Sequence, residues 1–173
     1  ANAEIIDQAA QRGIKIIVID SDVNSSQVSC RIGTNNLQAG IKAAEAALAT
    51  DDEELYIGIV NYDVNSANGQ QRELGFRQTV EQDPRVKNIT TINVLSTTED
   101  ARAGAKEMLL SDSRINVVVT FNEWTSLGVG WAIRDLNRAD RIQVVAFDSN
   151  VVSVGMLETG EVDALIVQNP YAM

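Results

Sequence analysis

The chain has 173 residues, 45% of them hydrophobic and 5% aromatic, the balance of a globular chain rather than a disordered one. Fourteen Lys and Arg against 24 Asp and Glu give a formal net charge of -10, which opposes nucleic acid and anionic lipid as partners. The absence of histidine and the single cysteine, Cys30, exclude a Ser-His-Asp triad, a HExxH zinc site, an internal disulfide and a Cys-based zinc cage.

Apolar periodicity then alternates between two kinds of segment. Residues 3–12 place Ile5, Ile6, Ala9 and Ala10 on one helical face, with Gly13 as a C-cap. The run from Ile14 to Ile19, closed by Asp20, reads as a parallel strand buried on both faces. A polar loop from Ser21 to Gln27 leads to a strand from Val28 to Ile32 and an alanine-rich helix from Leu37 to Ala49; Asp51 to Glu54 is a solvated acidic turn. The unit then recurs. Strands are expected from Leu55 to Val60, Ile89 to Leu95, Ile115 to Phe121, Ile142 to Phe147 and Val162 to Val167. Helices are expected from Gly69 to Glu81 (stopped by Pro84), Thr98 to Leu110, Glu123 to Leu136 and Ser149 to Glu158. This order predicts an α/β fold, a doubly wound and mostly parallel sheet covered by helices on both faces. No internal sequence repeat is evident beyond the alternation. No apolar run reaches the roughly 20 residues needed to span a bilayer, so this segment is not expected to insert into one. The chain opens without a basic, apolar leader, and any signal segment is expected upstream.

Ligands of open α/β sheets bind beyond the carboxyl ends of the strands, so the residues following each strand are the candidates. They are Asp20, Asn61 in the loop that leads to Gln70, Asn122, Asp148 and Gln168. Amides and carboxylates together donate and accept, which suits vicinal hydroxyl groups. No Walker A motif is present, and Gly128-Val129-Gly130 falls inside a helix, so neither a phosphate cradle nor a dinucleotide fingerprint is expected. Each residue also has a plainer reading. Asp148 and Asn122 fit helix N-caps, Asp20 an Asx turn, Gln70 and Gln168 solvated amides, Trp124 the core, and Arg72 a structural ion pair.

Six motifs, in order and over the whole chain, carry a resemblance. They are Ile16-Ile-Val-Ile-Asp20; Ile32-Gly-Thr-Asn-Asn36 with Ala39-Gly40; Arg72-Glu-Leu-Gly-Phe76; Phe121-Asn-Glu-Trp124 with Leu127-Gly128; Val144-Val-Ala-Phe-Asp148; and Val167-Gln-Asn-Pro-Tyr171. With these the chain resembles the ribose-binding branch of the type 1 periplasmic binding proteins, the solute receptors of sugar ABC transporters. The resemblance implies a two-lobed, non-catalytic receptor that closes by a hinge over a small sugar or polyol in an interlobe cleft. It implies an extracytoplasmic location, periplasmic or lipid-anchored, and a permease as protein partner. No cofactor and no metal are implied. Residues 1–34 correspond to the end of a first lobe, 35–168 to the second lobe and 169–173 to the return crossover. The start of the first lobe and the segment beyond residue 173 have no counterpart here.

Carried over residue by residue, Asp20, Asn122, Asp148 and Gln168 stand where relatives hydrogen-bond sugar hydroxyls. Gln70 and Ser21 replace two arginines of ribose-type members, and the loss of two cationic forks implies a neutral ligand of altered identity. Trp124 replaces a smaller apolar residue and offers a stacking surface. The expected ligand-binding set is therefore Asp20, Gln70, Asn122, Trp124, Asp148 and Gln168. Two other readings remain open at this stage: the effector-binding core of a LacI-type transcriptional regulator, which shares the fold, and an α/β enzyme using Asp20 and Asp148 as paired carboxylates.

Overall fold

A computed structural model describes residues 3–172; positions 1, 2 and 173, which the expected 1–34 and 169–173 segments include, lie outside that range. The chain gathers into two compact units, one running up to Asn35 and resuming at Gln168, the other Asn36–Val167.

In the first unit, helix α1 (Ala3–Gln11) turns through Gly13, whose φ of 82° is cheap only for glycine, into strand β1 (Ile16–Ile19). Strand β2 (Val28–Ile32) pairs parallel to it. The expectation that β1 is buried on both faces is not met: Ile17 is 63% and Ile19 64% exposed. This sheet has two strands, and these two side chains alternate with the half-buried Ile16 and Val18 on its other face. A one-turn 3-10 helix, Pro170–Ala172, ends the described chain.

The second unit opens with α2 (Asn36–Ala47) and continues β3 (Leu55–Tyr62), α3 (Ala67–Val80), β4 (Val86–Val94), α4 (Thr98–Ser111), β5 (Val117–Thr120), α5 (Glu123–Leu136), β6 (Gln143–Phe147), α6 (Val151–Thr159) and β7 (Ala164–Ile166). All strand pairs are parallel, in the order β4-β3-β5-β6-β7. The period of two divides the strand residues between two cores. Ile57, Ile59, Val117, Val119, Phe121, Val145 and Phe147 face α2 and α3, where Ala43, Ala47, Phe76 and Val80 meet them. Val60, Val118, Val144 and Ala146 face the opposite layer of Ala105, Leu109, Val129, Ile133 and Met156 from α4, α5 and α6. Phe76, Phe121 and Phe147 stack edge to face, with centroids 6.0 and 5.6 Å apart, in the arrangement favoured by ring quadrupoles.

Helices α2 and α3 touch backbone to backbone. A Cβ on Gly40 would collide with the carbonyl of Arg72, and one on Gly75 with the carbonyl of Leu37. Two glycines of the recognised motifs are thus the means by which this layer packs. The chain path sets the position of the site: α3 leads from β3 outward to β4, and α4 carries the chain back past β3 to β5 on the other face. The strand order therefore reverses between β3 and β5, where open sheets leave a crevice at their carboxyl edge.

Candidate functional site

The carboxyl edge of the second unit brings Gln70, Asn122, Trp124 and Asp148 onto the ends of three adjacent strands, β3, β5 and β6. Asp20 and Gln168 belong to the first unit, where Asp20 ends β1 and Gln168 accepts from the Thr34 hydroxyl at 2.5 Å.

Asp148 is not the helix cap. Asn150 takes that place, its Oδ1 accepting from the amides of Val152 and Ser153 at 2.8 and 2.9 Å, and Ser153 answers through its hydroxyl in a capping box. α6 consequently begins at Val151, two residues later than the periodicity predicts. Asp148 sits before it with φ 64°, half-buried, its amide still continuing the ladder to the Ile166 carbonyl at 3.0 Å. Asp20 repeats this geometry in its own unit, with φ 62° and its amide on the Ile32 carbonyl at 2.9 Å. The flanking residues match as well, Asp20-Ser21-Asp22-Val23 and Asp148-Ser149-Asn150-Val151. Aspartate tolerates left-handed backbone better than most residues, and strained backbone concentrates at functional sites.

Asn122 does cap its helix. Its Oδ1 accepts from the Thr125 amide at 2.9 Å, while its Nδ2 donates to the Ser96 hydroxyl at 2.7 Å and leaves a second N–H. Gln70 is exposed on the first turn of α3 and donates through Nε2 to the Val64 carbonyl. Trp124 is 49% exposed, which overturns its core reading: it stands on the first turn of α5 with its indole in solvent, whereas Trp131 packs on the core with the Arg134 guanidinium 4.6 Å above its ring. Asn61 is a further correction. β3 runs two residues longer than expected, so Asn61 is 3% exposed inside it, donating to the Glu73 carboxylate at 2.7 Å and the Gly69 carbonyl at 3.3 Å.

Two residues that the sequence reading gave no part in the site hold this edge together. Arg72 is 2% exposed and reaches from α3 beneath the crevice; its Nη1 donates to the Phe121 carbonyl at 2.6 Å and its Nε to Asn36 at 2.8 Å, with the guanidinium 4.9 Å over the Phe147 ring. These three partners are an amide, a carbonyl and a ring, drawn from α2, the end of β5 and the end of β6. The Ser126 hydroxyl lies within 2.7–2.9 Å of Thr120 Oγ1, the Asn122 carbonyl and both backbone atoms of Phe147, so one buried side chain ties β5 to β6 just below Asn122 and Asp148. A small polar residue one turn into a helix carries no periodic signal.

Helices α3 to α6 all begin at this edge, and each first turn is closed by its own side chain: Ser66, Thr97, Asn122 and Asn150. The first-turn donors that would welcome an anion are in part already used. Among the described residues no group of His, Cys, Asp and Glu is arranged to hold a metal ion, and no helix is long and apolar enough to cross a membrane.

The family model of the periplasmic binding protein domain matches residues 1–173. The chain belongs to this family. Within it, the D-apiose import binding protein of Actinobacillus succinogenes is 24% identical over 166 residues, which are 94% of this chain and 53% of that protein. The crystal structure of a carbohydrate transporter solute binding protein from Agrobacterium radiobacter, in complex with D-arabinose, superposes with a TM-score of 0.92 at 27% identity, covering 98% of this chain and 59% of that one. The periplasmic component of an ABC-type sugar transport system from Hahella chejuensis gives 0.91 at 29%, covering 95% and 61%. The chain therefore spans a little over half the length of these periplasmic binding proteins, and the relatives are named as binding proteins and transport components.

Proposed function

We propose that this chain is part of the solute receptor of a sugar ABC transporter and that it binds a small neutral sugar or polyol without turning it over. The reading rests above all on Asp148. It closes a central strand at the carboxyl edge, in left-handed backbone, and the helix behind it is capped by another residue, so capping does not account for its carboxylate. In this reading Asp148, Asn122 and Gln70 hydrogen-bond ligand hydroxyls, and the exposed Trp124 indole lies against the C–H face of the sugar ring. Asp20 and Gln168, in the first unit, are included as ligand-binding residues on the strength of the family resemblance. The receptor works outside the cytoplasm and hands its ligand to a permease.

Neutrality of the ligand follows from charge. Glutamine and serine stand at positions 70 and 21, where ribose-type receptors have arginines, and Asp20 and Asp148 remain, so an anionic guest meets carboxylates without those two cations. At the starts of α3 to α6 the cap side chains already take part of the first-turn donors that an anion would use. A thermal-shift panel of neutral monosaccharides, polyols, sugar acids and sugar phosphates tests the reading. At least one neutral member is expected to raise the melting temperature with concentration, as mass action requires; stabilisation by uronates or phosphates alone refutes it.

A further inference from the structure

The opposite edge of the second unit, where its strands begin, carries a hollow of about 170 Å³ between the segments 113–116 and 138–142. Its floor is the buried pair Ile115 and Ile142, and its walls include Ser113, Arg114, Arg138 and Arg141. One water needs roughly 10–15 Å³ by the same kind of measure, so the space admits a tetrahedral oxyanion.

Three arginines line one hollow in a chain of net charge -10, which requires an account. Arg114 is balanced: it grips Asp112 through Nε and Nη2 at 2.9 and 2.8 Å and lies 4.9 Å over the Tyr56 ring. Arg138 donates through Nη1 to the Leu109 carbonyl at 2.7 Å, which occupies one of its five N–H groups and none of its charge. Arg141 is exposed, and among the described residues its side chain makes no hydrogen bond; neither it nor Arg138 has a carboxylate within 4.0 Å. Asp52, Asp140 and Asp163 line a neighbouring hollow that shares Arg141, but they do not line this one. The C-terminal carbonyls of α4 explain the Arg138 contact and leave Arg141 without a role.

We propose that this hollow binds a small oxyanion of the phosphate class. Arg138 and Arg141 supply the unbalanced charge and the forked donors that match such an anion, and the Ser113 hydroxyl adds a further donor. The site stands apart from the sugar-binding reading, because it occupies the other end of the same strands.

The test is a calorimetric titration of the protein with inorganic phosphate at constant ionic strength, against chloride, in the parent and in Arg141→Gln. Arg141 is exposed, so the variant is expected to keep the parent's melting curve. Saturable phosphate binding, weakened at least tenfold in Arg141→Gln while any sugar response stays unchanged, is the expected result. Phosphatidylglycerol vesicles form the second arm: retention on them that phosphate competes away, and that Arg141→Gln loses, supports the same site with a lipid headgroup as its source. A response that does not saturate, that chloride reproduces, or that is identical in Arg141→Gln overturns the proposal. Absence of any sugar response beside retained phosphate binding would remove the transport reading and leave this site standing.

Discussion

Neighbouring residues at the carboxyl edge divide between holding the fold and meeting a ligand, and the division is measurable. Asn150 donates nothing to the proposed ligand set but satisfies two amides of α6, so Asn150→Ala is expected to cost about 1 kcal/mol of stability and little affinity. Asp148→Ala is expected to do the reverse: a lost charge-assisted hydrogen bond is worth about 1.5–3 kcal/mol of binding, with a modest loss of stability because alanine suits the left-handed backbone at φ 64° less well than aspartate. Calorimetry and thermal melts of the two variants separate the roles, and retained affinity with a large melting loss in Asp148→Ala would contradict the ligand assignment. Trp124 is decided the same way. At 49% exposure, Trp124→Ala is expected to lose about 1 kcal/mol or more of sugar affinity and the ligand-dependent fluorescence signal, while losing far less stability than the about 3–5 kcal/mol of a core aromatic. The sequence did not show this exposure, because an aromatic one turn into a helix fits core and surface equally well. Asp148 stays open between cap and ligand in the sequence for a related reason: it is a good capping residue, and only the structure shows that Asn150, two residues on, caps instead.

Among the elements, the alternation of strand and helix was plain in the sequence, because β-branched runs such as Val117-Val118-Val119 and alanine-spaced helices such as α2 differ in period. What it did not reveal was how the layers meet. Gly40 and Gly75 read as motif letters, yet each lets one helix backbone lie against the other, and Gly40→Ala is expected to cost about 1–3 kcal/mol by overpacking. Urea unfolding of that variant checks it, and an unchanged midpoint would mean the two helices separate freely. The length of β3 was also misread. Asn61 and Tyr62 are polar or amphipathic, so periodicity ended the strand at Val60, while the Glu73 carboxylate and the Gly69 carbonyl compensate Asn61 inside it. Arg72 reads in the sequence as a structural ion-pair partner, and its carbonyl, amide and ring partners, 36 to 75 residues distant, come together around it only in the fold.

Across the molecule, acid sensitivity follows from surface ion pairs. Arg102 and Lys106 hold the Asp135 carboxyl down from its ordinary 3.8 to about 2, and Arg114 does the same for Asp112. Groups whose folded pKa is depressed contribute stability that is fully present above pH 3.8 and is lost as pH falls towards 2. Arg102→Gln is therefore expected to melt lower than the parent near neutral pH and to lose less on acidification through that window; equal acid slopes would show the pair contributes nothing. The distribution of charge and caps over the whole chain also separates its two edges. The carboxyl edge of the second unit presents neutral amides, a carboxylate and an indole, and the amino edge presents arginines beside Asp52, Asp112, Asp140 and Asp163. Amide chemical-shift mapping of the protein on titration with a neutral sugar that raises its melting temperature tests the assignment most directly. Shifts are expected at the carboxyl edge, at Gln70, Asn122, Asp148 and the Trp124 indole, and in the first unit at Asp20 and Gln168. Shifts centred instead on the strand beginnings near Ile115 and Ile142, with those residues silent, would contradict it.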